Sequence, residues 1–462
     1  MKGVSLMLFD KLLPPSKIHM IGIGGVSMSG LAEILKNKGY IVTGSDMNQT
    51  NLTNILIENN IPVYLGHDEK NAIGADAVIY TAAIKKDNPE YVYAEKNNIP
   101  LIERSVLLGE ITKMFNNTIA IAGTHGKTTT TSMLSVSFLE NDMDPTISVG
   151  GEIPEINSNY KIGNSEYFIT EACEYVESFL TLSPHCGIIL NIEEDHLDYY
   201  KDINHIISAF NKFADKIDNN GYLVINNDDE NCHKISSNAK IVPFGIDTPS
   251  KFMATNIEYG SDFTSFDFTE DGEKICTIKL KVPGKHNVYN SLACLTVCKL
   301  YGLNIEKAAT ALSIFSGAKR RFELKGIKNG ILIYDDYAHH PSEIKATLKA
   351  AKSKKKNKIW CVFQPHTYTR TKALLNEFSE SFYDADTVII TDIYAAREKD
   401  TGEINSNDLV NKISTTSQNA IYIKDFENII TYLAENAQEN DLIFTIGAGN
   451  VYKIGEELLN II

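Results

Sequence analysis

The run Gly123-Thr124-His125-Gly126-Lys127-Thr128 stands between an apolar stretch, Thr118-Ile119-Ala120-Ile121-Ala122, and a stretch beginning Thr129-Thr130-Thr131-Ser132-Met133-Leu134. A strand that turns through glycines straight into a helix is a unit of open parallel α/β sheets, whose ligands bind beyond the carboxyl ends of the strands. The glycines let backbone N–H groups converge on an oxyanion, and the helix N-terminus adds partial positive charge. Lys127 can reach outer phosphates and the Thr128 hydroxyl can ligate Mg²⁺, so the loop predicts a bound nucleoside triphosphate. Its spacing is shorter than the general G-x-x-x-x-G-K-[ST] pattern, with Ile121 where the first glycine would stand.

Two further α/β series flank this one. Lys17-Ile18-His19-Met20-Ile21 enters Gly22-Ile23-Gly24-Gly25, a helix-like stretch runs from Ser27 to Lys38, and the strand Tyr40-Ile41-Val42-Thr43 ends at Gly44-Ser45-Asp46. The unit resembles a dinucleotide fingerprint, with Ser27 in place of the third glycine. Taken by itself it fits a nicotinamide-dependent dehydrogenase, a reading that leaves the second glycine loop unexplained. A third series begins near Ile331, with strands ending at Asp335-Asp336, Gln364-Pro365, Asp392 and Gly447-Ala448-Gly449. The polar, basic stretch Gly317 to Glu323 predicts a hinge before it.

In the middle series, Tyr167-Phe168-Ile169-Thr170 stops at Glu171 and Gly187-Ile188-Ile189-Leu190 stops at Asn191. With the glycine loop, these polar strand ends are expected to face one crevice. Phe263, Phe266 and Phe268 before Asp271-Gly272, then alternation from Ile275 to Val282, predict a short antiparallel piece. The expected fold is α/β in three domains: Rossmann-like over 1–115, a central P-loop ATPase domain over 116–322 with a mainly parallel sheet plus a small antiparallel element, and a C-terminal Rossmann-like domain over 323–462.

With 44 basic against 59 acidic residues, the net charge of −15 opposes broad contact with a phosphate backbone, so nucleic acid is not an expected partner. Seven cysteines without C-x-x-C spacing argue against a zinc site or a disulfide framework and for a reducing compartment. The first 15 residues show no long apolar core, and no later run offers about 18 apolar residues. A cytoplasmic protein, without a membrane segment, is the expectation.

Glu171 is a hard oxygen ligand suited to Mg²⁺. His196 lies in the acidic stretch Asn191-Ile192-Glu193-Glu194-Asp195-His196, which either attracts a cation and orients an imidazole or forms a helix N-terminus with Asp195 as cap. Asp335-Asp336-Tyr337-Ala338-His339-His340-Pro341-Ser342-Glu343 sets acids, a phenol and imidazoles at a strand end before a helix that Pro341 can start. Gln364-Pro365-His366-Thr367-Tyr368-Thr369-Arg370 also follows an apolar strand and adds a guanidinium, the group best matched to a carboxylate. Two such clusters on one sheet point to a site.

GTHGKTTTT at 123–131, EACE at 171–174, NIEEDH at 191–196, PGKHNVYN at 283–290, RRFE at 320–323, DDYAHHPSE at 335–343 and QPHTYTRT at 364–371 together resemble the Mur ligases. The motifs run in that family's order from GIGG at 22 to GAGN at 447–450. The resemblance implies ATP-dependent, Mg²⁺-dependent joining of L-alanine to the lactyl carboxylate of UDP-N-acetylmuramate, or of a recycled tripeptide to the same sugar nucleotide. It implies small-molecule substrates and a monomer or homodimer. By position it assigns Gly22, Gly24, Gly25, Ser29 and Asp46 to the UDP-sugar. Gly123, Thr124, His125, Gly126, Lys127, Thr128, Thr129, His286, Asn287, Asn290 and Asp336 go to ATP. Thr128, Glu171 and His196 go to the metal, Lys127, Glu171 and His196 to catalysis, and Tyr337, His339, His366 and Arg370 to the amino-acid side. Cys173, Tyr175 and Val176 replace polar residues that many members carry, and Thr367 replaces a frequent arginine.

Overall fold

Short β-branched runs alternating with helices build three sheets, each with apolar clusters packed against it. The computed structural model describes residues 12–461 apart from 82, 198, 261–262, 355, 397 and 417–418. Most of the leading segment read above for an apolar core therefore lies outside the described residues. Among the described residues, no helix is long and apolar enough to cross a membrane.

The first sheet is parallel, in spatial order Val63–Leu65, Ile41–Asp46, Lys17–Ile21, Ala77–Tyr80 and Leu101–Glu103. The chain reverses direction across the sheet at its central strand, so Gly22–Gly25 sit at the crevice of a doubly wound fold. The middle sheet has ten strands. Parallel pairing joins Thr146–Ile153, Tyr167–Glu171, Asn117–Ala122, Cys186–Ile189, Tyr222–Asn226 and Lys240–Gly245 in that order, which makes the three polar strand ends adjacent.

Both ends of this sheet turn antiparallel. At one, Thr264–Glu270 and Glu273–Leu280 form the expected hairpin around Asp271 and Gly272, whose φ of 50° and 85° suit a two-residue turn. At the other, Thr146–Ile153 pairs with Ser158–Lys161, which the sequence reading did not anticipate. The last sheet runs Glu323–Lys328, Ile331–Asp336, Leu442–Ile446, Ile359–Phe363, Thr387–Ile390 and Ala420–Tyr422, parallel except for its first strand.

The helix Lys127–Glu140 is buried along ten of its residues despite its run of hydroxyls. Thr131, Ser132, Ser135 and Ser137 each donate to the carbonyl four residues earlier, at 2.7–2.8 Å, which satisfies them without a solvent face. The helix Val26–Asn37 of the first lobe packs on the unexpected hairpin, and Gly30 permits the approach: an added Cβ would lie 3.0 Å from Tyr160 Cβ.

The stretch 317–323 joins the middle and last lobes. The Lys319 N–H donates to Glu152 O at 3.1 Å, whereas Arg320 Nε donates to Asp335 at 2.8 Å and its Nη2 to Gly447 O at 2.7 Å. The hydrogen-bond partners of the chain thus change from the middle lobe to the last between Lys319 and Arg320.

Candidate active site

The phosphate loop is shaped by two glycines with positive φ, Gly123 at 143° and Gly126 at 84°, and a Cβ on Gly126 would lie 2.5 Å from Asn290 Oδ1. Neighbouring strand ends brace it. The Thr124 N–H donates to Asn191 O at 3.1 Å, the His125 N–H to Asn191 Oδ1 at 2.8 Å, and the Glu193 N–H to Thr124 Oγ1 at 2.9 Å. Among the described residues no side chain caps the helix that follows, so its first N–H groups are free to face an anion.

A cavity of about 370 Å³ opens beyond this loop between the middle and last lobes. It is lined by His125, Gly126, Thr128 and Thr129 of the loop, by His286, Asn287 and Asn290 from the start of helix Lys285–Leu300, and by Asp336. Thr128 is almost completely buried. Asp336 accepts hydrogen bonds from the Phe322 and Ala338 N–H groups at 2.9 and 2.8 Å and from the Thr347 hydroxyl at 3.2 Å. Burial raises its carboxyl to about 6 against the pull of Arg321. Burial lowers His286 to about 4, so that ring is neutral near pH 7.

Lys127 folds back over the loop, donating to Gly123 O at 2.6 Å and Thr124 O at 3.0 Å, and pairs with Glu174 at 2.9 Å. Glu174 also faces His196 Nε2 at 3.6 Å. Its carboxylate, which burial alone would raise, is held below the usual range by Lys127 and His196. The sequence reading quoted Glu174 only as part of EACE.

The expected metal ligands do not share one cavity. Thr128 lines the 370 Å³ cavity, whereas Glu171 accepts the Gly150 N–H at 2.7 Å and lines one of about 330 Å³ between the first and middle lobes, with Ser27, Arg104 and Cys173. His196 lines a third, of about 220 Å³, with Tyr175, His366 and Arg370. Thr128 and Glu171 flank the strand Thr146–Ile153 at adjacent glycines: a Cβ on Gly151 would meet Thr128 Cγ2 at 3.1 Å, and one on Gly150, pointing the opposite way, would meet the Glu171 carboxylate at 3.1 Å. A hydroxyl and a carboxylate are the hard oxygen donors that Mg²⁺ takes alongside phosphate oxygens.

Among the described residues no helix begins at Asp195, which does not support the cap alternative for that stretch. The next helix is Ile203–Ala214, capped by Asp202, and His196 itself adopts a φ of 53°. Asp195 instead receives Arg370 from the last lobe, and His340 Nε2 lies 3.0 Å from Glu194 O. His339 sits with its Nδ1 3.0 Å from Tyr337 O and its ring 6.0 Å from that of His366. Tyr337 is stacked by the guanidinium groups of Arg320 and Arg321, each 5.0 Å from its ring centroid. The departures at Tyr175 and Val176 have local effects: Tyr175 packs on His196 at 4.6 Å between centroids, and Val176 takes a φ of 49°, a strained choice for a β-branched residue. Thr367 caps the short helix Tyr368–Ala373 by accepting the Arg370 N–H.

In the first lobe the Gly24 N–H donates to Asp46 Oδ2 at 2.9 Å, which closes the turn, and Gly22 has a φ of 76°. Gly25 stands directly before the helix Val26–Asn37. Ser29 does not join them. It is 1% exposed and its hydroxyl donates to Val26 O at 3.0 Å, because a serine on the inner face of a helix bonds to its own backbone.

A phosphate loop in the middle of three α/β lobes, with polar side chains converging on it from the last lobe, defines a P-loop enzyme that works between domains. The chain matches the Mur ligase family catalytic domain over 17–116, the Mur ligase middle domain over 121–298, and the Mur ligase glutamate ligase domain over 320–449. It belongs to the Mur ligase family. It is 53% identical to UDP-N-acetylmuramate--L-alanine ligase of Acetivibrio thermocellus, with 97% of each chain covered, and 52% identical to the protein so named in Alkaliphilus metalliredigens, with 96% of each covered. Among solved structures it resembles UDP-N-acetylmuramate-alanine ligase from Thermotoga maritima, with a TM-score of 0.81 and 29% identity over 96% of this chain and 98% of that one. It also resembles a murein peptide ligase from Psychrobacter arcticus, with a TM-score of 0.70 and 26% identity over 96% and 98% of the two chains.

Proposed function

We propose that the chain joins L-alanine to the lactyl carboxylate of UDP-N-acetylmuramate at the expense of ATP, giving UDP-N-acetylmuramoyl-L-alanine, ADP and phosphate. The 53% identity to a relative of that name over 97% of both chains carries the reading, and separate cavities lined by Thr128, Glu171 and His196 support it. In this account lobes 1–115, 116–322 and 323–462 supply the sugar nucleotide, the ATP site and the amino-acid side.

A carboxylate and an amine at neutral pH form a salt, so the acid must first acquire a leaving group. A lactyl carboxylate oxygen attacks the γ-phosphorus of ATP, the bond to the β-γ bridging oxygen breaks, and an acyl phosphate and ADP result. The free amine of L-alanine then attacks the acyl carbon, inorganic phosphate leaves, and the amine proton is released. The loop N–H groups, the helix N-terminus and Lys127 neutralise charge on the transferred group. Lys127 exchanges its loop carbonyls and Glu174 for phosphate oxygens. Mg²⁺ held through Thr128, Glu171 and His196 would add positive charge at those oxygens.

Arg370 and His366 meet the amino acid in the 220 Å³ cavity, and Gly22, Gly24, Gly25 and Asp46 meet the nucleotide sugar. Contact between the last and middle lobes keeps water from the acyl phosphate. Incubation with ATP, UDP-N-acetylmuramate and a mixture of L-alanine, glycine, L-serine and the tripeptide, followed by mass analysis, tests the reading. The alanyl product is expected; the tripeptide product alone would identify a recycling ligase instead.

A further inference from the structure

One side chain of the phosphate loop is held from two lobes at once. His125 Nδ1 lies 3.2 Å from Glu343 Oε1, while its Nε2 lies 3.3 Å from Glu193 Oε2 and 3.0 Å from Ser342 Oγ. Glu193 follows a strand of the middle lobe, whereas Ser342 and Glu343 lie in the first turn of helix Pro341–Lys354 of the last. The His340 ring packs on His125 at 4.9 Å between centroids. Glu343 is itself fixed by its helix start, because Oε2 accepts the His339 and His340 N–H groups at 3.0 and 3.2 Å. Arg321 Nη1 stands 4.0 Å from its Oε1.

An imidazole between two carboxylates favours its protonated form. Burial works against that charge, but Glu343 and then Glu193 overcome it and push His125 up to about 10. Burial would likewise raise Glu343, yet His339 and His125 hold it well below the usual carboxylate range. The charged ring stands directly before Gly126, beside the helix N-terminus on which an anion gathers.

We propose that Glu343 is a positioning residue for the ligation: reaching over from the last lobe, it orients the His125 ring on the phosphate loop and secures its positive charge. The loop therefore holds its full positive charge only while the last lobe is closed upon it. This rests on the reading of the 370 Å³ cavity as the triphosphate pocket. A carboxylate serving only its helix start would need no charge, since one amide oxygen can accept the N–H groups of His339 and His340.

Glu343→Gln separates the two roles in the full-length enzyme. The measurement is kcat/KM for ATP from pH 6 to pH 9, in the wild type, E343Q, H125N and the double variant, with folding checked by circular dichroism. Other groups facing the ring contribute no difference between the curves: Glu193 stays ionised, while His286 and His340, both lowered by burial, stay neutral above pH 7. The Glu343 charge helps to raise Asp336, so E343Q moves the acidic limb to lower pH and the four curves are compared above pH 7.

In E343Q only Glu193 supports the ring proton, so the ratio of wild type to E343Q is expected to widen with pH, reaching roughly tenfold per unit of lost pKa at the alkaline end. In the H125N background that pH-dependent part vanishes. A ratio constant with pH, or one that persists in H125N, would overturn the proposal. Should E343Q not fold, Glu343→Asp, which draws the carboxylate back from the ring, takes its place: a ratio to wild type that widens with pH supports the proposal, and a constant ratio overturns it. Failure of the wild type to form ADP with UDP-N-acetylmuramate and L-alanine would instead defeat the functional reading.

Discussion

Arg370 of the last lobe donates from Nε at 3.1 Å and Nη2 at 2.9 Å to one oxygen of Asp195 in the middle lobe, with both side chains nearly buried. Burial would raise the Asp195 carboxyl, but Arg370, with the neighbouring imidazoles, holds it far below its ordinary range. Its folded value is depressed, so its contribution is present above the ordinary aspartate value near pH 4 and is lost as pH falls further. At neutral pH the pair therefore ties the two lobes together and aims the guanidinium. Removing one partner leaves a buried charge uncompensated.

Asp195→Asn is accordingly expected to raise KM for L-alanine by roughly tenfold or more, with a smaller effect on KM for ATP. Steady-state kinetics with each substrate varied check this. Equal increases in both constants would show that the pair does no more than hold the fold.

Lys127→Ala should bind UDP-N-acetylmuramate as the wild type does but lose ligation by about 10²-fold to 10³-fold or more, because it removes a positive group aimed at the transferred phosphoryl. ADP release by the folded variant is the measurement. Near-normal turnover would remove Lys127 from the machinery.

The acidic limb of kcat/KM for ATP should have its midpoint near the value of Asp336, about 6. Below that pH the carboxyl is neutral and offers one oxygen fewer to accept hydrogen bonds from the nucleotide. A profile flat down to pH 5 would contradict this role.

Gly126→Ala meets both a φ of 84° and Asn290 Oδ1 at 2.5 Å. A loss of about 1–3 kcal/mol is expected from the backbone alone, read as a lower melting temperature, together with weaker ATP binding as Asn290 is displaced. Gly272→Ala, also at positive φ but with nothing within 4 Å of the added methyl, should cost about 1 kcal/mol and leave ATP binding unchanged.

The phosphate loop, the three α/β series and the adjacency of Glu171 and Asn191 to that loop were legible because each depends on local order: apolar runs, glycines and polar strand ends. The hairpin of 146–161 was not, since Gly150-Gly151 interrupts its alternation. Glu174, Asp195 and Glu343 were visible only as letters inside quoted motifs. Their partners, Lys127, Arg370 and His125, lie 47, 175 and 218 positions away, and no periodicity reports a pairing across lobes. Arg104, which faces the 330 Å³ cavity and donates to Ser27 Oγ at 3.0 Å, went unread for the same reason. Ser29 lies on the inner face of its helix, which a motif position does not report.

The change of hydrogen-bond partners between Lys319 and Arg320 puts the join of the two lobes at the rim of one cavity. Arg321, the very next residue, lines the 370 Å³ cavity. Arg370, far along the chain from that join, returns to the middle lobe at Asp195. The last lobe is therefore fastened to the middle one at two separate places, and each borders a different cavity.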